Sequence, residues 1–385
     1  MNEHQVLRIL QQLGPLSRAE VVRQTGLSAP TVSKAAAALL KNGFLEEHET
    51  PINPRGRPAK RLRIASQTSQ VLGVVIDRET CQVVVAGLDG KQYDDSEVVF
   101  ATPENYEAML ETIATVCQGI IDRSNLATMA VGISMPGLID YRLQKGVLSP
   151  NVPQTDGRTP ASDLSARIGC DCVLMQECHA LCLAERHYGL ARELDNFAML
   201  EAGTGVGLGV MSGGSIVTGH NGLAGEIGHM TVVEDGRPCG CGNQGCLETV
   251  ASDSALAWRV SNKLGKKLHI DRVIELVERG EIEIDQELNE TGRYLAIGLA
   301  AVINLFNPAT LFVHGRQFDA DPGFFNRLVD WTRKRTLPPS FAECRIVQAR
   351  GSKKQGAIAA AIQHLTSSIA PALSPPMPFL PRIPG

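Results

Sequence analysis

Four soft metal donors sit close together in this chain: His229, Cys239, Cys241 and Cys246, spaced H-x9-C-x-C-x4-C. No other feature limits the fold more. Three thiolates and one imidazole form a tetrahedral set for Zn²⁺, and all four must reach the same point. Glycines at 240, 242 and 245 let a short loop wrap an ion. Four protein ligands close the coordination shell, so the expected role is structural and not the activation of a water. The competing reading is four unliganded residues. Cys81, Cys117, Cys170, Cys172, Cys178, Cys182 and Cys344 lack ligand spacing and read as buried thiols. The start, Met1-Asn2-Glu3-His4, is polar with no long apolar core behind it, and no stretch reaches the ~18 apolar residues of a membrane span. A cytoplasmic location with reduced thiols and no membrane partner is expected.

Charge divides the chain unevenly. Over 385 residues the net charge is −4, yet residues 1–65 hold ten Lys or Arg against five Asp or Glu, leaving +5 there and −9 on the remainder. A small basic head on an acidic body suggests one part for a polyanion and another for something else. A hydrophobic content of 43% rules out wholesale disorder, and 37 glycines with only 4% aromatics favour an α/β body over an aromatic-rich sandwich.

The head reads as short helices. Val6, Leu7, Leu10 and Leu13 form one helical stripe, and Ser17 with Glu20 has capping-box spacing that starts a second helix, stopped by Gly26. Ser28 caps a third helix with Pro30 in its first turn; Val32, Ala36, Leu39 and Leu40 share its inner face. This is helix-turn-helix spacing, which would bring Ser28, Pro30, Thr31, Ser33 and Lys34 to base edges in a major groove. A small helical bundle that touches no DNA has the same periodicity. The following Pro54-Arg55-Gly56-Arg57-Pro58 shifts the balance. Arg55 and Arg57 flank Gly56 in a basic wing, a form that suits the negative minor groove of A·T pairs. Helices, wing and local charge together point to double-stranded operator DNA.

From Val71 the pattern changes to strands (VLGVVID, CQVVVAGL, SEVVFA) alternating with helices, which implies α/β architecture. The apolar tract from Leu295 to Phe306 reads as a buried helix. The last fifteen residues carry six prolines and read as a disordered tail. Glu201-Ala202-Gly203-Thr204-Gly205-Val206-Gly207 follows a strand, and its glycines allow close backbone approach to an anion. Downstream, Glu226, His229 and Glu248 are tied to the metal loop, and carboxylates beside an imidazole suit sugar hydroxyls. Solvated surface acids are the bland alternative.

Together the GTGVGLG, GHNGLAGEIGH and CGCGNQGCLE stretches resemble the signature of the ROK family (repressors, open reading frames and kinases), with the likeness running over about residues 3–365. The resemblance implies a two-lobed actin-like ATPase fold of the sugar-kinase type behind an N-terminal winged helix-turn-helix. On that basis the head is 1–65, the first lobe 70–190 completed by 351–366, the second lobe 191–350, and the tail 367–385. It implies zinc on His229, Cys239, Cys241 and Cys246. It also implies sugar contacts from Asn151, Glu177, Glu226, His229 and Glu248, with His229 joining metal to sugar through its two ring nitrogens.

Two departures bear on catalysis. Family kinases open with a D-x-G-G-T phosphate loop; here Val75 stands at the aspartate and Asp77-Arg78-Glu79 at the Gly-Gly-Thr. The catalytic Asn-Asp pair appears as Gln176-Glu177, which moves the carboxylate at the base position by about one methylene. Gly315-Arg316 replaces paired glycines beside the nucleotide. No catalytic residue and no ATP are expected. The resulting expectation is a repressor, homodimeric or tetrameric, that answers to a sugar or sugar phosphate. An ATP-dependent sugar kinase with a DNA-binding head is the alternative, and a regulator controlled by a protein partner is the third reading.

Overall fold

The structure, a computed structural model, describes residues 2–49 and 60–369. The head is built from α1 (Asn2–Leu13), β1 (Leu16–Ser17), α2 (Arg18–Thr25), α3 (Ala29–Lys41), β2 (Leu45–Glu49) and β3 (Lys60–Ile64). Ser17 and Glu20 form the capping box: the Glu20 amide donates to Ser17 Oγ and the Ser17 amide to Glu20 Oε2 at 2.7 Å. Gly26 closes α2 in the left-handed region, φ 68°, where a side chain would be strained. The inner face of α3 is Val32, Ala35, Ala36 and Leu39; Leu40 is only half-buried. Strands β2 and β3 pair antiparallel and β1 adds to β3, giving the winged helix-turn-helix its small sheet. The wing residues Arg55, Gly56 and Arg57 lie outside the described residues, as does the tail beyond residue 369.

The first lobe contains β4 (Ser69–Ile76), β5 (Thr80–Gly87), β6 (Val98–Ala101), α4 (Tyr106–Arg123), β7 (Ala127–Met135), β8 (Leu138–Asp140), β9 (Lys145–Leu148), α5 (Pro160–Ile168), β10 (Cys172–Gln176) and α6 (Glu177–His187). Its main sheet runs β10-β7-β4-β5-β6, parallel in the first two pairings and antiparallel in the last two. The second lobe contains β11 (Phe197–Glu201), β12 (Gly207–Ser212), β13 (Ser215–Ile216), α7 (Glu248–Ala251), α8 (Asp253–Leu264), α9 (Ile270–Glu278), α10 (Asp285–Phe306), β14 (Thr310–His314), α11 (Phe324–Arg333), α12 (Pro338–Glu343) and β15 (Arg345–Gln348). Its sheet is β13-β12-β11-β14-β15. The chain then returns to the first lobe as α13 (Lys353–Ile369), which lies on β4 and β7. That approach needs glycine: a Cβ on Gly132 of β7 would lie 2.0 Å from the Ala357 carbonyl oxygen. The helix runs to Ile369, so residues 367–369, expected in the tail, are helical.

Helix α10 departs from the buried reading at its last turn. Leu305 is 76% exposed and Phe306 45%. Among the described residues no helix is long and apolar enough to cross a membrane.

Head and first lobe share one apolar core. Leu7 and Leu10 of α1, Val32 and Leu39 of α3, Val71 and Val84 of the first sheet, and Ile358 and Ile362 of α13 all bury in it. Each such side chain contributes about 1.5–3 kcal/mol. Glu46, itself buried, accepts from Arg63 Nε at 2.7 Å, the Gln67 amide at 3.0 Å and Thr68 Oγ1 at 3.1 Å, fastening the wing to the start of β4.

Candidate functional site: metal loop, lobe seam and head

The short turn Ile227–His229 and the helix start at Glu248 frame a loop pinned by backbone bonds: Val232 to the Gly245 carbonyl at 2.8 Å, Leu247 to Met230 at 2.9 Å and Cys239 to Asn243 at 2.7 Å. Gly245 sits at φ 63°, and a Cβ there would lie 1.6 Å from the Val233 carbonyl oxygen, so the turn admits only glycine. Arg237 braces the loop against α8, stacking 3.7 Å over the Trp258 ring.

This loop brings together the four donors that the spacing predicts. One donor atom from each of His229, Cys239, Cys241 and Cys246 lies within 4.8 Å of the others. The Cys241–Cys246 sulfurs are 3.8 Å apart and Cys239 Sγ is 3.6 Å from His229 Nδ1. A tetrahedral ion with metal–sulfur bonds of about 2.3 Å and a metal–nitrogen bond of about 2.0 Å needs edges close to these, so the four residues could hold one metal ion. His229 turns Nδ1 to the thiols and Nε2 to Glu226, 3.6 Å from its Oε2. Glu248 Oε1 is 2.9 Å from Cys239 Sγ. The other seven cysteines are free thiols; Cys170 is half-buried and the remaining six are buried.

The expected sugar-contacting residues line the other side of this loop. A Cβ built on Gly205 would fall 2.7 Å from Glu248 Oε2 and 3.5 Å from Asn151 Nδ2, so both side chains converge on the glycine loop from opposite lobes. Asn151 is set by a turn in which the Val152 amide donates to Ser149 Oγ. Glu226, His229 and Glu248 are half-buried.

Glu177 faces a different set of partners. Gln176 is the N-cap of α6, its Oε1 accepting from the Cys178 amide at 2.8 Å and the His179 amide at 3.1 Å, which leaves Glu177 in the first turn. Lys353 Nζ, at the start of α13, lies 2.8 Å from Glu177 Oε2, 2.7 Å from Asp77 Oδ2 and 3.0 Å from Glu201 Oε1. Asp77 and Glu177 belong to the first lobe and Glu201 to the second, so one ammonium ties the lobes. Burial pushes the Glu177 carboxyl up to about 8, with Glu201 and Asp77 adding to the rise against Lys353. Burial opposes the Lys353 charge, yet the three carboxylates outweigh it and raise its pKa well above the ordinary lysine range. His314, 3.8 Å from Glu201, is pulled down towards its neutral form by burial.

On the head, Ser28, Pro30, Ser33 and Lys34 are exposed along one side of α3. Thr31 is half-buried, and its hydroxyl pairs with Ser28 Oγ at 2.8 Å, which occupies both side chains in capping. Six of the head's ten cations are matched internally or lie outside the described residues. Glu47 pairs with Arg18 and Lys60, Glu20 with Arg61, and Glu46 with Arg63. The exposed cations Lys34 and Lys41 stay on α3.

Residues 71–366 match the ROK family, and residues 1–51 match the MarR family. The chain belongs to the ROK family. Within ROK proteins, it is 28% identical over 334 residues to the DNA-binding transcriptional dual regulator NagC of Escherichia coli (strain K12), covering 83% of this chain and 82% of that protein. It is also 28% identical over 332 residues to the xylose repressor of Bacillus subtilis (strain 168), covering 85% of each. The crystal structure of a ROK family transcriptional regulator, a homologue of the E. coli MLC protein, superimposes with a TM-score of 0.81 at 23% identity over 96% of both chains. The fold is thus a MarR-type winged helix joined to the actin-like ROK domain.

Several residues of this ROK seam escape sequence reasoning. Lys353 and His314 carry no motif, and nothing in the Glu201–Gly207 stretch marks Glu201 as the partner of Lys353. Asp253 is a fourth: buried, it accepts from the Arg316 and Gln317 amides at 2.8 Å each, and burial pushes its carboxyl up to about 7. Of two adjacent lysines, Lys353 is enclosed in this cluster, whereas Lys354 pairs with Glu97 at the surface.

Proposed function

We propose that this chain is a sugar-responsive DNA-binding repressor of carbohydrate-metabolism genes, with an effector domain that keeps the form of a sugar kinase without its chemistry. The observation that carries the reading is the pairing, in one ROK chain, of an exposed α3 with a hydroxyl-reading set at the lobe seam. Ser33, Lys34 and the wing arginines Arg55 and Arg57 would meet operator DNA, helped by Ser28, Pro30 and Thr31, which fix the helix start, and by Gly56. Asn151, Glu177, Glu226, His229 and Glu248 would read sugar hydroxyls. Zinc on His229, Cys239, Cys241 and Cys246 would brace that pocket. The working form would be a cytoplasmic homodimer or tetramer, its heads spaced for two half-sites.

Phosphoryl transfer is disfavoured at the phosphate loop. Asp77, which replaces a loop glycine, takes hydrogen bonds from Lys353 and from the Thr204 side chain, so a carboxylate fills a place where phosphate oxygens would need donors. Glu79 bridges the lobes to His269 at 2.6 Å, and Arg316 is held by Asp271 and Asp319. Turnover of ATP with any sugar in a coupled assay would overturn this part.

Signal would pass along α13. Its first turn carries Lys353, and Ile362, about 14 Å further along the helix, lies in the head's core. A sugar that binds two lobe arrangements unequally would then bias the head. Fluorescence anisotropy on DNA from upstream of the chain's own gene tests this, with and without a sugar panel at fixed salt. Binding relieved by one sugar is the expected result. Binding indifferent to every sugar would favour control by a protein partner.

A further inference from the structure

The wing hairpin and the lobe seam stand at opposite ends of one strand. β4 begins at Ser69, directly after Gln67 and Thr68, which bond the wing. It ends at Ile76, directly before Asp77 of the Lys353 cluster. Every residue of β4 is buried, and β5 and β7 pair with it on either side. At about 3.3 Å per residue it spans about 25 Å. Helix α13 lies against it without slack: a Cβ on Gly73 would come 3.1 Å from the Ile358 amide nitrogen. The helix that supplies Lys353 and the strand that leads to Asp77 are thus packed as one piece.

The joint at the other end leaves little play either. Only residues 65–68 separate β3 from β4. The Ala65 amide donates to the Phe44 carbonyl at 3.0 Å, and the Ala65 carbonyl accepts from the Leu88 amide at 2.9 Å. Tyr93 Oη donates to the Ser66 carbonyl at 2.7 Å. The Gln67 amide and the Thr68 hydroxyl both go to Glu46 Oε2, while Glu46 Oε1 takes Arg63 Nε of β3. One carboxylate of β2, 7% exposed, therefore holds both the next wing strand and the last two residues before β4.

We infer that Glu46 is the positioning residue that couples the wing to the lobe seam. A change at Asp77 and Lys353 reaches the hairpin β2–β3 through β4 and this carboxylate. The inference rests on the repressor reading and goes beyond it, by assigning the step from effector body to wing to one side chain.

The test is a double-mutant cycle on operator affinity, read by fluorescence anisotropy of the full-length protein at fixed salt. The DNA is taken from upstream of the chain's own gene or selected from random duplexes. Lys353→Met, which breaks the seam, should change operator affinity about fivefold or more. In a Glu46→Ala background the same substitution should change it less than about twofold. Glu46→Ala alone should stay within about threefold of wild type, which a loss of the head's fold would not allow. Glu46→Gln keeps the volume and one acceptor oxygen, so it should restore part of the coupling. Asp77→Asn and Glu46→Gln carry the same cycle if either of the harsher variants fails to fold. An equal shift in both backgrounds, or no shift from either seam variant, overturns the inference and leaves the repressor reading standing. No duplex bound in preference to random DNA overturns both together.

Discussion

The metal loop and the Lys353 cluster both crowd acceptors around a single point, but they do opposite jobs. The loop draws His229, Cys239, Cys241 and Cys246 from one lobe and stiffens a local turn. The cluster draws Asp77 and Glu177 from one lobe and Glu201 from the other, and the cation at its centre comes from a helix that returns from the far end of the chain. A loop brace resists change, whereas a bond between lobes must be made or strained whenever the lobes move. Rigidity on the side proposed to bind sugar and adjustability at the seam are what a ligand-driven switch requires.

The largest effect should come from the brace. Cys246→Ser should abolish bound zinc and cost several kcal/mol, since structural zinc contributes directly to folding. Metal content and chelator-dependent melting measure it; a metal-free protein whose melting ignores chelator would remove the brace from the comparison. Next, Lys353→Met leaves Asp77, Glu201 and the Glu177 carboxyl without their shared cation and should destabilise by about 3 kcal/mol. Adding Glu177→Gln should recover part of that loss, and a double-mutant cycle in urea reads the coupling. Strict additivity would mean that the two groups do not interact.

The third effect is a pH slope. Glu177 holds its proton up to about 8 against an ordinary 4.5. The folded state therefore binds that proton more tightly than the unfolded chain, so its contribution is full below about pH 4.5 and is lost as pH rises through about 8. Wild-type melting temperature should fall over that window, and Glu177→Gln should flatten the fall by an amount on the order of 2 kcal/mol. A slope unchanged in the variant would assign it to other groups, Asp253 first. The smallest effect is on the head. Ser28→Ala removes a cap worth about 1 kcal/mol, while Lys34→Ala should lower the salt slope of operator binding by about one without altering stability.

What was legible in the sequence follows from how local each feature is. The Ser17–Glu20 capping box, the Gly26 stop and the four metal donors each lie within one short segment, so spacing alone specifies their geometry. The seam cluster joins residues 77, 177, 201 and 353, and no periodicity relates a lysine at one end of the chain to an aspartate near the other. Where the head's charge sits is likewise not local in sequence. Of the head's ten cations, Arg18, Lys60, Arg61 and Arg63 are paired with Glu20, Glu46 and Glu47, so a count of cations does not say which of them face outward. The Thr31 hydroxyl is engaged with Ser28 at the helix start, a local pairing that the spacing alone does not show. At Leu305 and Phe306 the apolar pattern continues although both side chains are exposed.

The apolar core common to α1, α3 and α13 has a consequence for how the protein comes apart. A DNA-binding module that carried its own core could be cut away and grafted onto another effector. This one would leave Leu7 and Leu10 without the Ile358 and Ile362 they pack against, so cleavage after residue 65 should produce a fragment that aggregates and a body with an open apolar face. Heated intact, head and first lobe should lose structure in one transition, and the slowest-exchanging amides of α3 should share their opening free energy with those of β4.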